Sequence, residues 1–174
     1  ASGTVTVNGM VFLTNNNGRN LFKKTLVCNS GVNWLGGRIN LGFGSTLRIP
    51  SGTTLTASLN SENIDNSGGD PSTLDLQGNF VRNTGTGVVA ITAVSFNPAG
   101  TTTVSTGTLR LGNGSTFAHP VNIASGAMLE LGSGTHELNA VTFSGGGALF
   151  PNNGVVNVNS GTTIPAGMIS EIGY

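Results

Sequence analysis

The sequence predicts an all-β chain, a parallel β-solenoid built as a three-sided, right-handed β-helix with coils of about 20 to 21 residues. Three observations carry this reading. Apolar residues recur in i, i+2 pairs, the mark of a strand with one buried face. The pairs return at a near-constant step along the chain. Between them lie Gly, Asn, Ser and Pro, the residues that turn corners. Three short strands per coil leave no room for a helix, and a unit this small cannot bury its own apolar face. It must stack on its neighbours, rung over rung, at about 4.8 Å. A sandwich of hairpins also uses many short strands, but it does not require an in-register repeat.

Taken in order, residues 1–58 repeat with a step of 21: Val5, Leu26 and Leu47; Val7, Cys28 and Ile49; Leu13, Trp34 and Leu55; and the corner glycines Gly31 and Gly52. Residues 59–86 break this register. Their polar, acidic stretch SENIDNSGGDPS (61–72) reads as a loop protruding from an irregular coil. Residues 87–164 repeat with a step of 20: Val89, Leu109, Leu129 and Leu149; then Ile91, Leu111, Leu131 and Pro151; then Gly114, Gly134 and Gly154. Val121 with Val141, Ile123 with Phe143, and Pro98, Ala118, Leu138 and Val158 supply further columns. Residues 165–174 form a terminal segment, and the whole of 1–174 reads as one solenoid domain.

Composition narrows the function. Half of the residues are Gly, Asn, Ser or Thr, and only 8% of the 174 are charged, too few for long soluble helices with charged outer faces. The 37% hydrophobic content is enough to offset the cost of ordering, which argues against disorder. Seven Lys plus Arg balance seven Asp plus Glu, and the longest basic block is the pair Lys23 and Lys24, so nucleic acid is excluded as a partner. The apolar runs, such as GVVAITAVSF (87–96), fall short of the roughly 20 residues of a membrane helix. Cys28 is the only cysteine, which rules out an internal disulfide and suits a small buried hydrophobe. The sequence begins at Ala1 without a signal-like segment, so a processed form or a piece of something longer is expected.

The end coils matter, because bare terminal rungs leave unpaired N–H and C=O groups that invite another strand. SGTVTVNG at one end already reads as a rung, and TTIPAGMISEIGY at the other lacks a charged amphipathic helix to close the stack. The expected partner is therefore the chain itself or adjoining repeats of the same protein, joined end to end.

The strings TTTVSTGTLRLGNGSTF (101–117), VNIASGAMLELGSGTHEL (121–138) and VNWLGGRINLGFGSTLRIPSGTTLTAS (32–58) resemble the repeats of large secreted or surface-bound bacterial β-helical proteins. These include autotransporter-associated β-strand repeats and filamentous-haemagglutinin-like adhesins. The resemblance implies an extracellular or cell-surface stalk that displays loops or adheres to surfaces such as glycans. It carries over no catalytic residue and no cofactor. The chain departs from those families in being short, in having no translocator barrel and in its irregular stretch at 61–72.

The carboxylates are the candidate chemistry, since polysaccharide-processing β-helices place acid and base on one outer face. Glu62, Asp65, Asp70 and Asp75 fall close together with Arg82 as a charge partner; the competing reading is a solvated turn whose Asp residues bond their own backbone. Asp65 and Asp70 are candidate calcium ligands, although no DxDxDG spacing is present. His119 and His136 stand 17 apart on a 20-residue period, hence on different sides, with His119 sharing a polar column with Asn139 and Asn159. No GxSxG nucleophile elbow occurs. Arg110 and Glu130 are expected to pair across rungs. Ice binding would need an array of outward Thr, which the column from Thr101 to Val121 and Val141 does not supply. Trp34 is read as core. Phe117, in a column with Glu137 and Asn157, is the aromatic expected to be exposed and able to contact a ligand. The expectation is a non-enzymatic structural or adhesive solenoid, with a polysaccharide-binding or polysaccharide-processing β-helix as the alternative and ice binding as a remote one.

Overall fold

The computed structural model describes residues 3–169. The chain winds through coils of three short strands. The first coil holds β1 (Gly3–Val7), β2 (Val11–Leu13) and β3 (Arg19–Phe22), the second β4 (Lys24–Cys28), β5 (Val32–Trp34) and β6 (Ile39–Gly42). The third holds β7 (Thr46–Ile49), β8 (Thr54–Ser58) and β9 (Glu62–Asn66), the fourth β10 (Thr73–Leu76), β11 (Asn79–Thr84) and β12 (Val88–Ile91). In the fifth coil Val94–Phe96 stand in the place of a first strand, followed by β13 (Thr102–Val104) and β14 (Thr108–Leu111). The sixth runs β15 (Ser115–Phe117), β16 (Val121–Ile123) and β17 (Met128–Leu131), and the seventh β18 (Thr135–Leu138), β19 (Phe143–Ser144) and β20 (Ala148–Pro151). Beyond it lie β21 (Val155–Val158) and the bridges Thr142 to Thr163 and Leu149 to Ile169. Residues 170–174 of the expected terminal segment lie outside the described residues.

Every strand pairs parallel with the strand one coil away. The second and third faces are seven-stranded sheets, β2-β5-β8-β11-β13-β16-β19 and β3-β6-β9-β12-β14-β17-β20. The first face is split into β1-β4-β7-β10 and β15-β18-β21; among the described residues between them only Phe96 bridges, to Ser115. Within each strand alternate residues point inward, so the core is a set of columns along the axis. The columns Val5-Leu26-Leu47, Val89-Leu109-Leu129-Leu149 and Ile91-Leu111-Leu131-Pro151 follow the expected steps.

Several expected columns are displaced, Ile123 with Phe143 among them. Trp34 pairs with Ala57, while Leu55 pairs with Val32, because six residues run from Ile49 to Leu55 where four run from Cys28 to Val32. Val121 pairs with Phe143, not Val141, and Phe117 pairs with Leu138, so Ala118 is not in the Leu138 column. The cause is a trade between corners: the turn after Leu131 and the turn after Leu138 each gain one residue, and the turn before Leu149 gives both back. The coil length stays near 20 while two of its three faces slip.

Five of the twelve residues expected as a loop over 61–72 are strand. Glu62–Asn66 form β9, and Ile64 is fully buried between Ile39 and Ile91. Only residues 67–72 leave the rung. Successive coils approach closely at the corners. Gly37, at φ +76, lies so near the carbonyl oxygens of Asn15 and Asn17 that any Cβ would overlap them.

Candidate functional site

The carboxylates that crowd together in sequence are distributed over different faces. Asp65 points outward from the third face, in the column Asn20-Asn40-Asp65, 3.7 Å from Arg38 Nη1. Asp75 points outward from the first face, where Arg48 Nε donates to it at 2.5 Å and Gln77 Nε2 at 3.3 Å. Asp70 is exposed in the turn between these faces, and Glu62, half-buried, starts β9 beside Val89. The expected acid–base group is therefore not assembled. Among the described residues no three of His, Cys, Asp or Glu converge as metal ligands.

Arg82 is removed from this group altogether. It points inward from β11, in a column between Ala57 and Val104, and is fully buried. Its guanidinium donates to the carbonyls of Leu59, Asn60, Thr84, Gly85 and Gly87 at the corner of the third and fourth coils, with Asn60 at 2.9 Å. Asn60 Oδ1 accepts from the Thr86 and Gly87 amides, closing the same corner. Burial pulls the Arg82 pKa below its ordinary value.

Phe117 is also inside. The one-residue gain in the turn after Leu131 moves its column from Glu137 to Leu138, which turns the ring into the core. There it belongs to an aromatic stack along the axis, with Phe80 to Phe96 at 5.3 Å, Phe96 to Phe117 at 5.8 Å and Phe117 to Phe143 at 6.4 Å between centroids. The same shift separates His119, which is exposed, from the Asn139 and Asn159 ladder, in which Asn159 Nδ2 donates to Asn139 Oδ1 at 2.5 Å. His136 is buried against Ser115. Arg110 and Glu130 pair across rungs as expected, at 2.8 Å, but Glu130 is buried and also accepts from Asn152 Nδ2 at 2.7 Å.

What the outer surface does assemble is ladders. Asn29 donates to Asn8 at 2.8 Å, Asn40 to Asn20 at 2.7 Å, Asn157 to Glu137 at 2.6 Å and Asn122 to Ser144 at 3.0 Å. One column of threonines also forms, Thr4-Thr25-Thr46-Thr73 on the first face. Its first two steps are 21 residues, so it was open to the sequence reading, which tested only the column from Thr101. The neighbouring outward column is Thr6, Val27, Arg48 and Asp75, so the threonines form a single file and not the double array that ice recognition needs.

The two ends of the stack expose apolar side chains. At the first coil Val5, Phe12 and Phe22 are exposed, and an apolar cavity opens between Val11, Leu13, Leu21 and Leu26. At the far end Val155 and Val158 are about 60% exposed and Ile169 is nearly half exposed. The fold is that of β-helical repeat proteins in general. Comparison of the chain with protein-family models, curated proteins and solved structures returned no match.

Proposed function

We propose that the protein is a structural and adhesive β-solenoid of the cell exterior, a segment of a stalk or fibre whose end rungs stack on rungs of the same kind. The observation that supports this most is the equivalence of its outermost coils. On the first face, inward Val5 and Val7 are followed by the corner Asn8; at the other end, Val156 and Val158 are followed by Asn159. Laying β1 of one copy beside β21 of another would set Val5 on Val156 and Val7 on Val158. It would also continue the asparagine ladder from Asn159 to Asn8. The contact would cover the exposed apolar columns and pair the edges of β1 and β21 that no other described strand pairs. Low charge and zero net charge oppose such association little.

The test is negative-stain electron microscopy with sedimentation velocity across a concentration series. Filaments that lengthen with concentration are expected, and Val158→Asp, at an exposed position of the end rung, should keep the particles short. Wild-type particles of constant length at every concentration would overturn the end-to-end reading.

A further inference from the structure

A cationic groove lies at the corner between the third and first faces of the first three coils, and it was not among the sites the sequence singled out. Its walls are Gly3, Thr4, Lys23, Lys24, Thr25 and Gly44, and its volume of about 340 Å³ lies at the small end of ligand clefts. The charge there is unspent. Arg38, Arg48 and Arg110 are ion-paired, Arg82 is buried among carbonyls, and Arg19 donates to the Asn17 carbonyl. Among the described residues, Lys23 and Lys24 form no ion pair. Lys23 takes a left-handed corner conformation, φ 54, which carries its Nζ to 5.6 Å from the centroid of the Phe43 ring. Phe43 packs edge to face on Phe22 at 5.5 Å, and both rings remain about 40% exposed. Beside them runs the Thr4-Thr25-Thr46-Thr73 column, a file of hydroxyls at the rung spacing.

We infer that this corner binds a strand of acidic polysaccharide, its carboxylate or sulfate groups on Lys23 and Lys24, its hydroxyls on the threonine column and a sugar face on Phe22 and Phe43. The groove and the surface around it match the parts of that ligand: two ammonium groups without an ion pair and the hydroxyls of Thr4 and Thr25 in the groove itself, and outside it the rest of the threonine file and the exposed rings next to Lys23. Two lysines are too few for the other polyanions. Nucleic acid binding rests on neutralising several phosphates, and anionic membranes are held by clusters of about four to eight basic residues. Asp70 borders the groove, its Cβ 3.6 Å from where a Cβ on Gly44 would stand, and opposes an anionic ligand.

The inference deepens the adhesive half of the proposed function, and its test is independent of filament formation. Calorimetric titration of the full chain would use polygalacturonate, dextran sulfate, neutral dextran and phosphatidylserine vesicles. Binding to one or both acidic polysaccharides is expected, with the two identifying carboxylate or sulfate as the preferred group, and with affinity falling as salt rises. The pair Lys23→Gln and Lys24→Gln should weaken it about tenfold. Lys24→Gln alone, at an exposed strand position, should weaken it in the same direction, while Asp70→Asn should tighten it. Equal binding of neutral dextran, binding of vesicles alone, no binding of either acidic polymer, or lysine variants that bind like wild type would each overturn it. Sedimentation of the same samples reads the end-to-end contact separately.

Discussion

His136 Nδ1 lies 2.8 Å from the hydroxyl of Ser115, directly across one rung of the first face and sealed from solvent. The other ring nitrogen, Nε2, faces the Gly132 carbonyl at 3.0 Å, an acceptor only, so Nε2 carries the proton and Nδ1 accepts from the serine. The imidazole is held neutral.

A pH dependence follows. Burial lowers the His136 pKa below 6.5, against a smaller opposing effect of hydrogen bonds to the Gly132 and Ser133 backbone. Between the folded and unfolded values the unfolded chain binds a proton that the folded chain refuses. Stability is therefore full above about pH 6.5 and erodes as the pH falls toward the folded value. Melting temperatures between pH 7.5 and 5.5 should drop for the wild type and stay flatter for His136→Gln, whose amide can still donate to Gly132. Parallel profiles would show that another group sets the slope.

Cys28 offers a probe of the second coil. It is fully buried beneath Val7, and burial pushes its thiol up to about 11. The thiolate is the reactive form, so at pH 8 the folded chain should label negligibly with a disulfide reagent and completely in guanidinium. Fast labelling of the native chain would mean that the first coil opens readily.

The parts of the fold that were legible share one property, a step that repeats on every coil. The Leu109, Leu129 and Leu149 column keeps its step because the third face absorbs no change in corner length. Phe117 and Phe143 were misplaced because the corners around them trade residues, which period counting cannot see when the total stays near 20. Polarity misled at β9, where one buried residue, Ile64, is enough to hold Glu62–Asn66 in the sheet. The acidic cluster dissolved for a geometric reason. Ten residues separate Asp65 from Asp75, about half a coil, and so carry the chain around a corner to another face. The groove at Lys23 and Lys24 was hidden by a different limit: its walls come from the corners of successive coils, and the rings near it, Phe22 at the end of β3 and Phe43 on the next coil's corner, stand 21 apart where that face steps by 20.

Phe117 tests the corrected register directly. With its ring enclosed by Phe96 and Phe143, Phe117→Ala should cost about 3 to 5 kcal/mol in urea unfolding. It should leave binding of polysaccharide at the Lys23 corner unchanged. A variant with wild-type stability and altered ligand binding would restore the exposed position.

Arg82 makes the sharpest energetic claim. Replacing a buried ion pair by hydrophobes is often neutral, because both charges and their desolvation leave together. Here the partners are the carbonyls of Leu59, Asn60, Thr84, Gly85 and Gly87, which stay when the side chain goes. Gly87 keeps the Thr108 amide as a donor; of the other four carbonyls Leu59 is buried and the rest partly so, and each left without a donor costs up to about 1 to 3 kcal/mol, relieved where water enters. Arg82→Met should therefore lower stability by at least about 3 kcal/mol, even though it adds apolar contact beside Ala57 and Val104. Arg82→Lys keeps the charge but gathers its three donors at one point, where the guanidinium spreads five in a plane, so it should recover only part of the loss. Chemical denaturation of the three proteins decides the matter. A methionine variant as stable as wild type would mean that the corner carbonyls find other donors, and that Arg82 fills space rather than tying the third coil to the fourth.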